Sequence, residues 1–144
     1  MSEKHTPIFG IDLGTTYSCI AYVDEYNRPT VVPNSAGDRT TPSVVQFDNP
    51  LRTVELDDRG RGAERIVGKE AKNASLLYPD TTVELIKREM GSKDYTFYYQ
   101  GEKYTPEEIA SYIVRKLVQD AAQYTGYDIH DVVITCPAYF GIPE

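Results

Sequence analysis

Apolar and polar positions change period several times along this chain, and each change marks an element. Ile8 to Leu13 is an apolar run broken only by Gly10 and Asp12, and it predicts a first strand. Ser18 to Asp24 predicts a second, and Thr30 to Val32, bounded by Pro29 and Pro33, a third. Three short strands joined by tight turns suggest an antiparallel meander. Asn34 to Pro42 is a loop by composition, and Ser43 to Phe47 predicts a fourth strand. Residues 48–64 are polar, contain Gly60 and Gly62, and carry charges of both signs, which reads as a solvated excursion. Arg65 to Gly68 returns as a strand, and Lys69 to Leu77 is weakly helical and ends before Pro79. A second helix is expected from Thr81, whose spacing to Glu84 fits a capping box; it carries Val83, Leu85 and Ile86 and stops at Gly91. Tyr95 to Gln100 alternates aromatics as a strand does, with Gly101 to Lys103 as its turn.

The clearest helix comes next. Thr105-Pro106-Glu107-Glu108 combines an N-cap, a proline at the first helical position and an acidic residue three on. Ile109, Ile113, Leu117 and Ala121 form one apolar stripe, flanked by Val114 and Val118, and Gly126 is the C-terminal stop. Asp131 to Cys136 then predicts a buried strand. Only eight residues follow it, so the chain is expected to be a fragment of a larger protein.

Composition narrows the picture. The 144 residues are 40% hydrophobic and 26% charged, the balance of a soluble domain with one real core. A net charge of −7 argues against a broad nucleic-acid or anionic-membrane surface, but not against one bound nucleotide. Cys19 and Cys136 each sit in an apolar run without a C-x-x-C spacing, which points to core thiols rather than a disulfide or metal site. Met1 to Pro7 is polar, unlike a signal peptide, and no apolar run approaches a membrane span, so a cytoplasmic protein is expected.

Candidate chemistry concentrates at Asp12-Leu-Gly-Thr-Thr16. A buried strand carrying one carboxylate breaks there into a tight turn. Gly14 lets a ligand approach the main chain, and successive N–H groups in such a turn make a concave anion site. Thr15 and Thr16 add hydroxyl donors, and Asp12 is placed to hold a divalent cation directly or through water. A carboxylate for a metal beside donors for phosphate is what a nucleoside triphosphate requires. The same residues also suit an ordinary β-hairpin turn. Neither a Walker A loop nor a G-x-G-x-x-G pattern occurs.

Taken in order, the motifs resemble the start of the ATPase domain of the 70-kilodalton heat-shock chaperones. Gly10-Ile-Asp-Leu-Gly-Thr-Thr-Tyr-Ser-Cys19 resembles that family's first phosphate-binding segment. Pro33-Asn34 and Gly37-Asp-Arg-Thr-Thr-Pro-Ser-Val-Val45 resemble its next signature. Val67-Gly68, Ala71-Lys72, Thr82-Val83, Lys87-Arg88 and Met90-Gly91 resemble its inserted subdomain. Tyr104-Thr-Pro-Glu-Glu-Ile109 and Val133-Ile-Thr-Cys-Pro-Ala-Tyr-Phe140 complete the set.

The resemblance implies an α/β, actin-like ATPase fold built on ribonuclease-H-like sheets. This chain would supply most of the first lobe (about 8–47 and 110–144) and its inserted subdomain (about 48–109). It implies that Asp12 holds Mg²⁺ through water and that Gly14, Thr15, Thr16 and Tyr17 cradle the phosphates of ATP or ADP. Lys87 would reach toward the γ-phosphate and offset charge developing there. Pro137 resembles the proline implicated in signalling nucleotide state to a peptide-binding domain. The implied partners are unfolded client polypeptides, a J-domain co-chaperone and a nucleotide-exchange factor, with no nucleic acid and no membrane. A small-molecule kinase of the actin-like superfamily and a non-hydrolysing scaffold are the alternative readings. Residues 48–64 are longer than the family's usual connection, and Gly141-Ile-Pro143 departs from its polar continuation. The remaining parts of the nucleotide site would lie beyond Glu144.

Overall fold

The computed structural model describes residues 7–47, 65–85, 97–99 and 101–135. Its spine is a hairpin. β1 (Phe9–Leu13) runs antiparallel to β2 (Tyr17–Val23), and β2 to β3 (Pro29–Val31), as the meander pattern predicts. Along β1 the alternation is strict: Phe9, Ile11 and Leu13 are buried while Gly10 and Asp12 face outward. The strand period therefore places Asp12 on the face away from the core.

The end of the predicted 34–42 loop forms a further short strand, β4 (Thr41–Pro42), and the predicted fourth strand is observed as β5 (Val44–Gln46). β4 pairs with β2, whereas β5 joins a second sheet. Ser43 is the pivot between them. In the second sheet β5 lies between β6 (Ile66–Val67) and β7 (Thr82–Glu84), with antiparallel pairing on both sides. The short helix α1 (Lys69–Ala74) connects β6 to a 3₁₀ turn over Pro79–Thr81.

The expected helix from Thr81 is thus corrected over its described part. Thr82–Glu84 is a strand, with Val83 opposite Val45 and Glu84 opposite Val44. β-Branched Thr82 and Val83 fit a paired, buried strand, and that pairing overrides a local capping pattern. The remainder of the expected helix lies outside the described residues.

β8 (Phe97–Tyr99) and β9 (Glu102–Tyr104) form a separate hairpin. Glu102 and Lys103, expected in the turn, belong to the second strand of that hairpin.

α2 (Pro106–Thr125) starts and stops where the sequence signals. Thr105 caps it by accepting the Glu108 N–H, and Gly126 ends it in the left-handed region at φ 78°. The stripe Ile109, Ile113, Leu117 and Ala121 is at most 2% exposed and packs with Phe9, Ile11, Val45 and Leu85 in one core. Each of the three large aliphatics contributes about 1.5–3 kcal/mol by leaving water.

After α2 the chain crosses back, and β10 (Val132–Thr135) pairs parallel with β1. The first sheet has the order β10–β1–β2–β3, with β4 attached to β2. β10 corrects an expectation. Its apolar run predicts burial, yet Val133 is 61% and Ile134 43% exposed, because no described element covers that end of the sheet. Cys19 is half-buried rather than a full core residue, and its thiol is free; Cys136 lies outside the described residues. Among the described residues no helix is long and apolar enough to cross a membrane.

Candidate functional site: the β1–β2 turn

The connection from β1 to β2 is residues 14–16, and with Asp12 in β1 and Tyr17 at the start of β2 it brings together five of the residues singled out in the sequence. Asp12 ends the outward-facing row of β1 and sits opposite Cys19 on one side and Thr135 on the other. The Thr135 hydroxyl lies 3.4 Å from Asp12 Oδ1 and 3.4 Å from the Ile11 carbonyl, so β10 touches the carboxylate without covering it. Asp12 and Thr16 are exposed and Thr15 is half-buried.

Gly14 is required by space rather than by dihedral angle. A Cβ there would overlap the carbonyl oxygen of Tyr17, so the turn closes only without a side chain. Tyr17 is half exposed, and the Lys72 ammonium on α1 lies 5.6 Å from its ring centroid. The site thus borders α1 as well as the first sheet.

Ser43 supports the turn from beneath. Its N–H donates to the Thr16 carbonyl at 2.9 Å and its hydroxyl to the Gly14 carbonyl at 2.7 Å. Burial pushes the Cys19 thiol up, and the charge of Asp12 across the β1–β2 pair adds to this; a backbone hydrogen bond with Asp12 works in the opposite direction.

The chemistry of this donor set fits a magnesium–phosphate ligand. One exposed carboxylate, two threonine hydroxyls and a turn with no room for a Cβ lie within five residues, 12–16. A hard cation takes oxygen ligands, and a phosphate takes N–H and O–H donors. A cavity of about 300 Å³ lies elsewhere, among Asn34, Arg65, Gly68, Tyr112 and Asp120. No residue of the 12–17 segment lines it. At the turn itself Asp12 and Thr16 are exposed. Lys87 and Pro137 lie outside the described residues. Leu85, the last described residue before Lys87, donates its N–H to the Ser43 carbonyl at 3.1 Å.

The family model described as "Hsp70 protein" matches residues 8–97 and 94–142, which is most of the chain. The chain belongs to the Hsp70 family. "Chaperone protein DnaK" of Halobacterium salinarum is 45% identical over 139 residues, covering 96% of this chain and 19% of that protein. "Chaperone protein DnaK" of Thermotoga maritima is 43% identical over 140 residues, covering 97% of this chain and 21% of that protein. Thermosipho melanesiensis "Chaperone protein DnaK" is 42% identical over 140 residues, with 97% and 21% covered. The chain spans about a fifth of the length of these curated relatives.

Within this Hsp70 chain the sequence motif led to the turn but not to its support. Ser18 and Ser43 read as ordinary strand residues, because a serine inside an apolar run carries no mark of its partner. Their hydroxyls meet at 2.8 Å across 25 residues. Asp120 was likewise invisible on its helix: it is 6% exposed, pairs with Lys116 Nζ at 3.0 Å and accepts the Ser35 N–H. Arg65 gave no sequence signal either. Its guanidinium lies within 6 Å of the Phe47, Tyr99, Tyr104 and Tyr112 ring centroids, between the second sheet, the β8–β9 hairpin and α2.

Proposed function

We propose that the protein carrying this chain is an ATP-dependent chaperone in which ATP binding and hydrolysis control affinity for unfolded, hydrophobic polypeptide. The observation that carries the reading is the position of Asp12, exposed at the end of β1 and directly before a turn that excludes a side chain at Gly14, in a chain of the Hsp70 family. In this reading the fold is the first lobe of an actin-like ATPase. Residues 8–47 and 110–144 form its core, and residues 48–109 form an inserted subdomain.

Asp12 holds Mg²⁺ through water. Gly14, Thr15, Thr16 and Tyr17 bind the nucleotide's phosphates with backbone N–H groups and the threonine hydroxyls. Bound Mg²⁺ neutralises phosphate charge and orients the triphosphate. Lys87 would supply an ammonium toward the γ-phosphate, stabilising charge in the transition state and orienting the attacking water. Pro137 follows β10, which pairs with β1 beside Asp12, and relays nucleotide state toward the peptide-binding domain. Unfolded clients, a J-domain co-chaperone and a nucleotide-exchange factor are the partners, and the cytoplasm is the compartment. These residues supply one side of the nucleotide site, so the chain alone binds Mg-ATP weakly and does not turn it over.

The test is ATP turnover by the full-length protein, with and without an extended hydrophobic peptide. Stimulation by peptide, together with a fall of about 10²–10³-fold in Lys87→Ala, supports the reading. Turnover indifferent to peptide but triggered by a sugar or small acid would move the protein to the kinases, and no turnover would make it a scaffold.

A further inference from the structure

We propose that Ser43 is a positioning residue for the nucleotide site: it aims the backbone donors of the β1–β2 turn. The inference rests on the ATPase reading above. It starts from the three directions in which one buried residue is held. Ser43 is 1% exposed, at the pivot between β4 and β5. Its N–H reaches the Thr16 carbonyl, its hydroxyl the Gly14 carbonyl, and its own carbonyl receives the Leu85 N–H.

The direction of each proton follows from counting. The Gly14 carbonyl can only accept, so the single Ser43 hydroxyl proton is committed to it at 2.7 Å. The contact between Ser18 Oγ and Ser43 Oγ at 2.8 Å must then be made by the Ser18 proton. Ser18 donates to Ser43 and Ser43 to Gly14, a chain of two hydroxyls ending on the turn.

Peptide planarity gives that chain a function. In a trans peptide the N–H points opposite to the C=O of the same unit. No described peptide bond is cis. With the Gly14 and Thr16 carbonyls drawn toward Ser43, the N–H groups of Thr15 and Tyr17 are turned away from it. The brace occupies only acceptors, so it consumes none of the donors that a phosphate needs. The Leu85 bond adds a further anchor. The residue that follows β7 is fastened to the same Ser43, so the turn and the end of the second sheet share one anchor.

Ser43→Ala removes the hydroxyl and leaves both backbone bonds, whereas Ser43→Cys keeps the volume and loses most of the donor strength. The measurements are Mg-ATP affinity of the full-length protein and amide hydrogen exchange over residues 14–17. The expected result is about tenfold weaker Mg-ATP binding and about tenfold faster exchange in both variants, the size of one lost hydrogen bond. Ser18→Ala, which spares the bond to Gly14, should change each by less than about threefold. Unchanged affinity and exchange in Ser43→Ala overturn the proposal. So does a Ser43→Cys that behaves as wild type, which would assign Ser43 to packing, or an equal loss in Ser18→Ala. A wild-type protein that binds no Mg-ATP refutes the ATPase reading instead, and exchange over 14–17 still decides whether Ser43 sets the turn.

Discussion

The carboxylate of Asp120 accepts the backbone N–H of Ser35 at 3.2 Å, joining α2 to the 34–40 loop across 85 residues of sequence. Lys116 closes the arrangement, with its ammonium 3.0 Å from Asp120 Oδ1 and 3.1 Å from the Ser35 hydroxyl. Asp120 is buried and Lys116 about a third exposed. Asp120→Ala leaves the lysine without its counter-ion and the Ser35 N–H without its acceptor. The expected loss is about 2 kcal/mol, below the usual range for a broken buried pair because water reaches the lysine. Asp120→Asn keeps an acceptor for Ser35 and loses less. Urea unfolding of the two variants against wild type checks the order.

Gly14→Ala brings a methyl group onto the Tyr17 carbonyl, and relief requires the turn to open. Mg-ATP affinity of the full-length protein should fall more than about tenfold. Gly10→Ala is the matched control, on the same strand, where an added Cβ meets nothing within 4 Å. Titration calorimetry on both variants tests whether the effect belongs to the turn or to the strand.

The β2–β3 turn carries a pH dependence. Asp24 Oδ1 accepts the N–H groups of Arg28 and Tyr26, each at 2.9 Å. The bond from Arg28 is the main reason its carboxyl lies below the usual carboxylate range; desolvation opposes it, and the Tyr26 N–H, the Arg28 charge and the Thr30 hydroxyl each lower it further. A group whose pKa is lower in the folded state stabilises that state above the unfolded carboxylate value of about 3.9, and the benefit is lost as pH falls through the folded value. The Tyr26 and Arg28 amide resonances should therefore shift together on acidification, with a midpoint below that of a free aspartate. Asp24→Asn should abolish the shared transition.

At the start of α2 the Thr105 hydroxyl accepts the Glu108 N–H at 3.2 Å. Thr105→Ala leaves that donor without its cap. The expected cost is about 1 kcal/mol of stability, read from thermal unfolding, with no change in the residues of the β1–β2 turn.

The helix α2 was legible because each of its signals is local: a cap, a proline, a 3.6-residue stripe and a terminal glycine all lie within 22 residues, 105–126. The β1–β2–β3 meander and the turn holding Asp12 and Gly14 were legible for the same reason. What escaped is what depends on a distant partner. Thr81 and Glu84 have capping-box spacing, but pairing of Thr82–Glu84 with β5 decides the conformation. Ser43 and Asp120 act through groups 29 and 85 residues away, and nothing in their own neighbourhood announces it. Val133 and Ile134 read as core because hydrophobicity predicts a need for cover rather than the presence of it.

The parallel pairing of β1 with β10 also sets an order of events at the ribosome. Phe9 aligns with Val132 and Asp12 with Thr135, so the first described strand completes its ladder only with the last described one. During synthesis, at roughly 5–20 residues per second, one edge of β1 waits on the order of ten seconds for its neighbour. Contacts of such sequence separation are slow to form because a long loop must close first. For that interval the nascent chain presents an unpaired strand of its own, the kind of extended segment on which a chaperone acts.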